Sequence, residues 1–280
     1  VAEKSAMIVT ENKMITKKIA IIGGGNLGSA IAEGLIKTQA ISNDNITITR
    51  RKTHLVNHLK DKGVNVQSDN VTAIKEADLV ILAVKPYQLA DILTEIKQHL
   101  KPEMIIVSMV AGFSLNSIEA NIGNKIPLFR GMPNTAIALC ESMTCLAYDK
   151  KWESYKEEVM NIFNLLGKSV VITEELMSSA TVLGACGVAF ALRFMRAAMQ
   201  GGVEIGFSAD VAQFITAQTM KGASELILQS NHHPEQEIDK VTTPRGITIS
   251  GLNEMEHQGF SSSLIQGLMT SFRKIDKQDK

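Results

Sequence analysis

The feature that most constrains this chain is a junction near its start. Four apolar residues, Ile19-Ala20-Ile21-Ile22, run directly into Gly23-Gly24-Gly25-Asn26-Leu27-Gly28, and an amphipathic stretch from Leu27 to Thr38 follows. A short apolar run bounded by glycines reads as a buried strand, and apolar residues at spacings of three and four read as a helix. A strand, a glycine turn and a helix in that order open a βαβ unit, which commits the region to a parallel sheet.

The alternation continues as that commitment requires. Further strands are expected at Asn45–Thr49, Leu79–Val84, Met104–Ser108, Pro127–Met132 and Met143–Ala147, with the first at Lys18–Ile22. Helices are expected at Thr53–Asp61, Tyr87–Leu100, Ser114–Asn121 and Trp152–Leu166. The β-branched runs stop near Thr173, and from Glu174 onward the apolar residues fall at helical spacing. We therefore expect three segments: an extension over 1–14, patternless and flexible, an α/β domain over 15–172, and an all-helical domain over 173–280. Ser208, with Asp210 two residues on, reads as the start of a long helix. The Ala- and Met-rich helical faces point to a homodimer or higher homo-oligomer formed through the helical domain.

Charge and composition exclude other classes. Twenty-nine Lys and Arg balance 29 Asp and Glu, whereas a nucleic-acid binder needs a basic excess. With 45% apolar and 21% charged residues the chain can bury a core. No apolar stretch reaches the roughly 18 residues that a membrane span needs, and the start lacks a signal-peptide order, so a soluble cytoplasmic protein without membrane partners is expected. Cys140, Cys145 and Cys186 are odd in number and lack paired ligand spacing, which predicts buried thiols and no metal site. His232-His233 have no acidic or thiol partners at ligand spacing and read as solvated loop residues.

The glycine loop has a specific chemistry. In a GxGxxG between strand and helix, Gly23 makes the turn, Gly25 lets a pyrophosphate approach the backbone, and Gly28 packs helix on strand. The backbone N–H groups of Gly25, Asn26, Leu27 and Gly28 at the helix start favour an anion. This predicts a Rossmann-like, mostly parallel sheet that binds a dinucleotide. The second strand then distinguishes the dinucleotides. It ends in Thr49-Arg50-Arg51-Lys52 where a site for a free ribose hydroxyl places Asp or Glu. Hydroxyl and guanidinium groups suit a 2′-phosphate, so NADP(H) is expected over NAD(H); the alternative is a solvated basic turn. Two later strand ends, Ala83-Val84-Lys85-Pro86 and Ser108-Met109-Val110-Ala111-Gly112, should line the same cleft.

Together these segments resemble the pyrroline-5-carboxylate reductases. The resemblance runs from Lys17 to the C-terminal helix and rests on the glycine loop, Ala83–Pro86, Ser108 with Ala111-Gly112, Arg130-Gly131-Met132-Pro133-Asn134-Thr135, Thr181–Gly187 and Val241-Thr242-Thr243-Pro244-Arg245-Gly246-Ile247-Thr248-Ile249. It implies NADPH-dependent reduction of L-1-pyrroline-5-carboxylate to L-proline, the last step of proline biosynthesis. It also implies residue roles. Asn70 is similar to the family's contact to the adenosine portion, and Ala83 and Lys85 to the nicotinamide-side contacts, with Met109, Val110 and Ala111 opposite. Thr243, Gly246, Ile247 and Thr248 resemble the loop that holds the substrate carboxylate, with Thr248 facing the ring nitrogen as the catalytic position. Glu174 matches a glutamate near the substrate and is equally readable as the acidic first turn of a helix.

The chain departs from the family in places. It reads Gly184-Ala185-Cys186-Gly187-Val188-Ala189-Phe190 where the family has Ser-Gly-Ser-Gly-Pro-Ala-Tyr, Arg245 where it has glycine, and Ala136 where it has proline. These departures keep two other readings open: an oxidoreductase for a related imine or hydroxyacid, and a non-catalytic NADP-binding sensor. No strong acid, metal motif or Ser-His-Asp set is present in the loop, which suits a protonated imine that needs orientation more than proton donation.

Overall fold

The structure, a computed structural model, describes residues 14–276; the expected N-terminal extension over 1–14 lies outside them except for its last residue. The β-branched runs form one eight-stranded sheet of order β3-β2-β1-β4-β5-β6-β7-β8. Its strands are β1 Ile19–Ile22, β2 Ile46–Thr49, β3 Asn65–Gln67, β4 Leu79–Leu82, β5 Ile105–Ser108, β6 Leu128–Met132, β7 Ser142–Tyr148 and β8 Gly167–Val171. The crossovers hold α1 Asn26–Thr38, α2 Asn57–Lys60, α3 Asn70–Ile74, α4 Leu89–Ile96, α5 Leu115–Ile122 and α6 Lys156–Leu165.

Every residue of β1, β4 and β5 is buried, as expected of parallel strands covered by helices on both faces. Alternate residues feed two cores: Ile19 and Ile21 pack on one side with Ile31, Leu35 and Phe163, and Ala20 and Ile22 on the other with Leu93 and Ile118. Ile22 pairs with Thr49 and Leu82, Leu82 with Ser108, and Ser108 with Arg130, so these residues form a row near the carboxyl edge. Strand order reverses beside β1, between β2 and β4, and ligands of open α/β sheets bind at such a switch point.

The sheet departs from the expectation at its edges. β7 runs antiparallel to β6, with Phe129 opposite Tyr148, while β8 returns parallel to β7. The short β3 and the half-exposed β8 were not among the expected strands: three polar-flanked residues and an alternating Gly-Lys-Ser-Val-Val carry too little apolar signal. The helix expected over Thr53–Asp61 is a 3₁₀ turn, Thr53–Val56, leading into α2.

A second unit follows. The chain parts into two compact units between Ala185 and Cys186, later than the expected 172/173. The reason is packing: α7, Met177–Ala180, buries Met177 with Met132 and Ala147, and Ala185 lies against that cluster. From α7 the chain passes through a π-helical segment, Thr181–Cys186, into α8, Gly187–Glu204. Four more helices complete the second unit: α9 Ala209–Ser230, α10 Pro234–Lys240, α11 Ile247–His257 and α12 Phe260–Asp276. Ser208 is the N-cap residue of α9 as expected. Close packing of α8 on α9 uses Gly202, where an added Cβ would sit 3.0 Å from the Ala212 Cβ. Among the described residues, Ala212 is the only one of these five helices that is fully buried; Leu192, Phe214, Leu228 and Ile265 are exposed. The helical run Glu174–Glu204 also meets, by length and composition alone, the test for a membrane span. That corrects the expectation that no such stretch exists: Ala, Met and Gly between its few charges keep the run apolar.

Candidate active site

Local backbone geometry explains the glycine loop residue by residue. Gly23 has φ 108°, and a Cβ there would lie 2.6 Å from the Ala83 carbonyl oxygen. A Cβ on Gly28 would lie 2.0 Å from the Gly23 carbonyl oxygen. Both glycines are therefore demanded by the fold itself. Gly25 differs: its φ of −81° suits any residue, and its added Cβ would meet nothing within 4 Å. Yet Gly25 is the N-cap of α1, and no side chain caps the helix. Open space and uncapped N–H groups together fit a phosphate seated against the backbone.

The basic run divides by its contacts. Thr49 is only 2% exposed, and its hydroxyl accepts from the Gly23 N–H (3.3 Å) and donates to Asn70 Oδ1 (2.7 Å). It braces the glycine loop against the start of α3 rather than presenting a free hydroxyl. The Asn70 amide nitrogen in turn donates to Glu95 (3.0 Å), which fixes the orientation of the amide. Beside it Asp69 caps α3 through the Val71 N–H, and its carboxyl is held below the ordinary range chiefly by the Thr72 hydroxyl. Arg50 is half-buried and donates from Nη1 to the Gly24 carbonyl oxygen at 2.6 Å. Arg51 and Lys52 are exposed.

The strand ends β4 and β5 stand next to this loop. Ala83 and Val84 are half-buried, Lys85 and Pro86 exposed. Met109 and Val110 turn their side chains into the core, so only their backbones are available to a ligand, whereas Ala111 is exposed. Sequence reasoning gave no role to Arg130, which is buried on β6 and pairs with Glu174 at 2.9 Å. The same Glu174 oxygen accepts the Leu115 N–H at 2.6 Å, so the carboxylate is occupied within the sheet unit. A pair 44 residues apart leaves no spacing signal.

In the helical unit, the expected substrate loop leads into α11. Arg245 holds φ 59°, the left-handed conformation, and Gly246 is the helix N-cap without a side-chain cap. A Cβ on Gly246 would fall 2.5 Å from the Thr243 hydroxyl, so these two residues are closely apposed. Ile247 is 94% exposed, and Thr248, second in the helix, is exposed as well. Thr248 does not cap α11. His233 caps α10 by accepting the Glu235 N–H, and Lys240 is held by Glu237 at 2.7 Å.

Among the described residues no cluster of three or more His, Cys, Asp or Glu could hold a metal. The three cysteines are free and half-buried rather than fully buried. Burial pushes the Cys145 thiol up, away from a reactive thiolate.

Comparison with known proteins matches the two parts of the chain to separate family models, the second beginning before the Ala185/Cys186 division. A family model described as pyrroline-5-carboxylate reductase dimerisation matches residues 174–278, and one described as NADP oxidoreductase coenzyme F420-dependent matches 18–112. Pyrroline-5-carboxylate reductase 1 of Dictyostelium discoideum is 46% identical over 94% of this chain, which spans half the length of that relative. Pyrroline-5-carboxylate reductase 2 of the same organism is 41% identical over 97% of this chain and 96% of its own. The crystal structure of Plasmodium falciparum pyrroline carboxylate reductase with NADP bound superposes with a TM-score of 0.85 at 26% identity, covering 95% of this chain and all of that one. With the glycine loop, the sheet order and the uncapped α11 loop accounted for, these matches show that the chain belongs to the pyrroline-5-carboxylate reductase family.

Proposed function

We propose that this protein reduces L-1-pyrroline-5-carboxylate to L-proline with NADPH in preference to NADH, working in the cytoplasm as a homodimer or higher homo-oligomer. The observation that carries the reading is the open, uncapped N-terminus of α1 at Gly25, in a chain of this family. A bound nicotinamide cofactor supplies the hydride. The chain's own residues bind and orient. The α1 N-terminus and Gly25 hold the pyrophosphate, Arg51 with Lys52 the 2′-phosphate, Asn70 the adenosine portion, and the backbone of Met109–Ala111 with Ala83 and Lys85 the nicotinamide end. The Thr243 hydroxyl and the Ile247 N–H at the α11 N-terminus hold the substrate carboxylate, Gly246 shapes that loop with its own N–H on the Thr243 carbonyl (2.8 Å), and Thr248 hydrogen-bonds the ring nitrogen. The apolar helical faces support self-association, and three free thiols suit a reducing compartment.

Arg245 favours this reading over a sensor with a drifted pocket: despite replacing glycine it keeps a left-handed backbone, the conformation that glycine favours. The deciding measurement is loss of NADPH absorbance with L-1-pyrroline-5-carboxylate, beside proline-dependent reduction of NADP at high pH. Thr248→Ala should lower turnover about tenfold to a hundredfold with NADPH affinity nearly unchanged. Tight NADPH binding with neither activity would make the protein a sensor; activity with a hydroxyacid alone would reassign the substrate.

A further inference from the structure

We propose that Glu174 is a positioning residue for the nicotinamide-side loop, acting through the first turn of α5 rather than by touching substrate. The inference rests on the role given above to Met109–Ala111. That loop leaves β5 at Ser108 and enters α5 at Leu115. Its near end is fixed by the Met109 N–H, which donates to the Leu82 carbonyl at 2.9 Å. At its far end the Leu115 N–H donates to Glu174 Oε1. Between these anchors Ala111 and Gly112 are exposed, and Gly112, at φ 79°, is a residue with wide backbone freedom, so the stretch depends on its anchors for a fixed course.

Glu174 suits the anchoring task chemically. Leu115 is the first residue of α5, whose opening N–H groups have no partner within the helix. A carboxylate there satisfies a donor and places negative charge at the positive end of the helix. Ser114 caps the same turn by accepting the Ser117 N–H, so the two oxygens divide the work. Arg130 then fixes the carboxylate itself: its Nη1 donates to the same Oε1 from a strand whose position is set by pairing with β5. The chain of constraint runs from β6 through Arg130 and Glu174 to α5 and so to the loop. Leu115, Ile118 and Ile122 are buried independently of it, so the loop should loosen before the helix does.

The test uses the full-length protein with Glu174→Ala, Glu174→Gln and the double variant Arg130→Met with Glu174→Met. The double variant removes both partners of the ion pair together, leaving no unpaired Arg130, and protects the fold if the single alanine fails. Hydrogen–deuterium exchange of the Ala111–Ile118 segment should rise at least severalfold in the alanine and double variants and stay near wild type in the glutamine variant, whose amide oxygen still accepts. Turnover per folded molecule should fall about tenfold to a hundredfold in the first two, with the KM for the imine and the Kd for NADPH within threefold of wild type. Unchanged exchange would overturn the proposal, and a raised KM with intact turnover would overturn it and make Glu174 a substrate contact. If the wild type lacks imine reductase activity the proposed function fails, while the exchange measurement still decides whether Glu174 anchors the loop.

Discussion

The two units are incomplete in different ways. The sheet unit closes its carbon core on both faces, down to Phe163 at 0% exposure, and leaves polar groups open at one edge: the N–H groups of an uncapped helix and the space at Gly25. The helical unit does the reverse. Its α10 is well capped, yet Phe214 on α9 is 72% exposed and only Ala212 is buried among its described residues. A surface short of polar partners is completed by a small charged ligand, and one short of apolar partners by another protein face. That contrast asks for a small polar ligand at the first unit and an apolar partner at the second.

The largest predicted effect sharpens this contrast. Phe163→Ala should cost about 3–5 kcal/mol of stability by leaving a cavity in a finished core. Phe214→Ala should change the stability of dilute chain by no more than about 0.5 kcal/mol while weakening self-association in sedimentation experiments. Equal losses of melting temperature in both variants would break the comparison.

A smaller contrast lies within the sheet unit. Gly28→Ala drives a Cβ into the Gly23 carbonyl and should cost about 1–3 kcal/mol of stability. Gly25→Ala should melt like wild type and lose about 1–3 kcal/mol of dinucleotide affinity instead, NADPH and NADH alike. Calorimetric binding beside thermal melts checks both. A destabilised Gly25→Ala would mean that its space is needed by the protein and not by a ligand.

The smallest effect concerns the basic run. Arg50 is committed to the Gly24 carbonyl, so Arg50→Ala should weaken both dinucleotides together. Arg51→Ala should weaken NADPH alone, roughly tenfold, the loss of one charge-assisted hydrogen bond. An unchanged preference in Arg51→Ala would remove it from the phosphate site.

What was legible in the sequence follows from how local its cause is. The Ile19–Ile22 strand, the glycine loop and the α9 start at Ser208 each announce themselves within a few residues, and each stands where expected. The row of strand ends along the carboxyl edge of the sheet follows from parallel topology alone. What was hidden depends on distant partners. Nothing near Thr49 says that its hydroxyl is spent on Gly23 and Asn70, and nothing near Glu174 points to Arg130. The direction of β7 was equally illegible, because a strand's own pattern does not record which way its neighbour runs. The late division between units traces to Met177, whose burial partners Met132 and Ala147 lie in the sheet unit.

Gly25 has a consequence for descent. Glycines 23 and 28 answer to the fold, so a lineage that gave up dinucleotide chemistry would still have to keep them. Nothing in the protein itself holds residue 25 to glycine. Once the ligand was gone, side chains could accumulate there at no cost to folding, and among chains built on this sheet the residue at that one position would record whether the pocket is still in use.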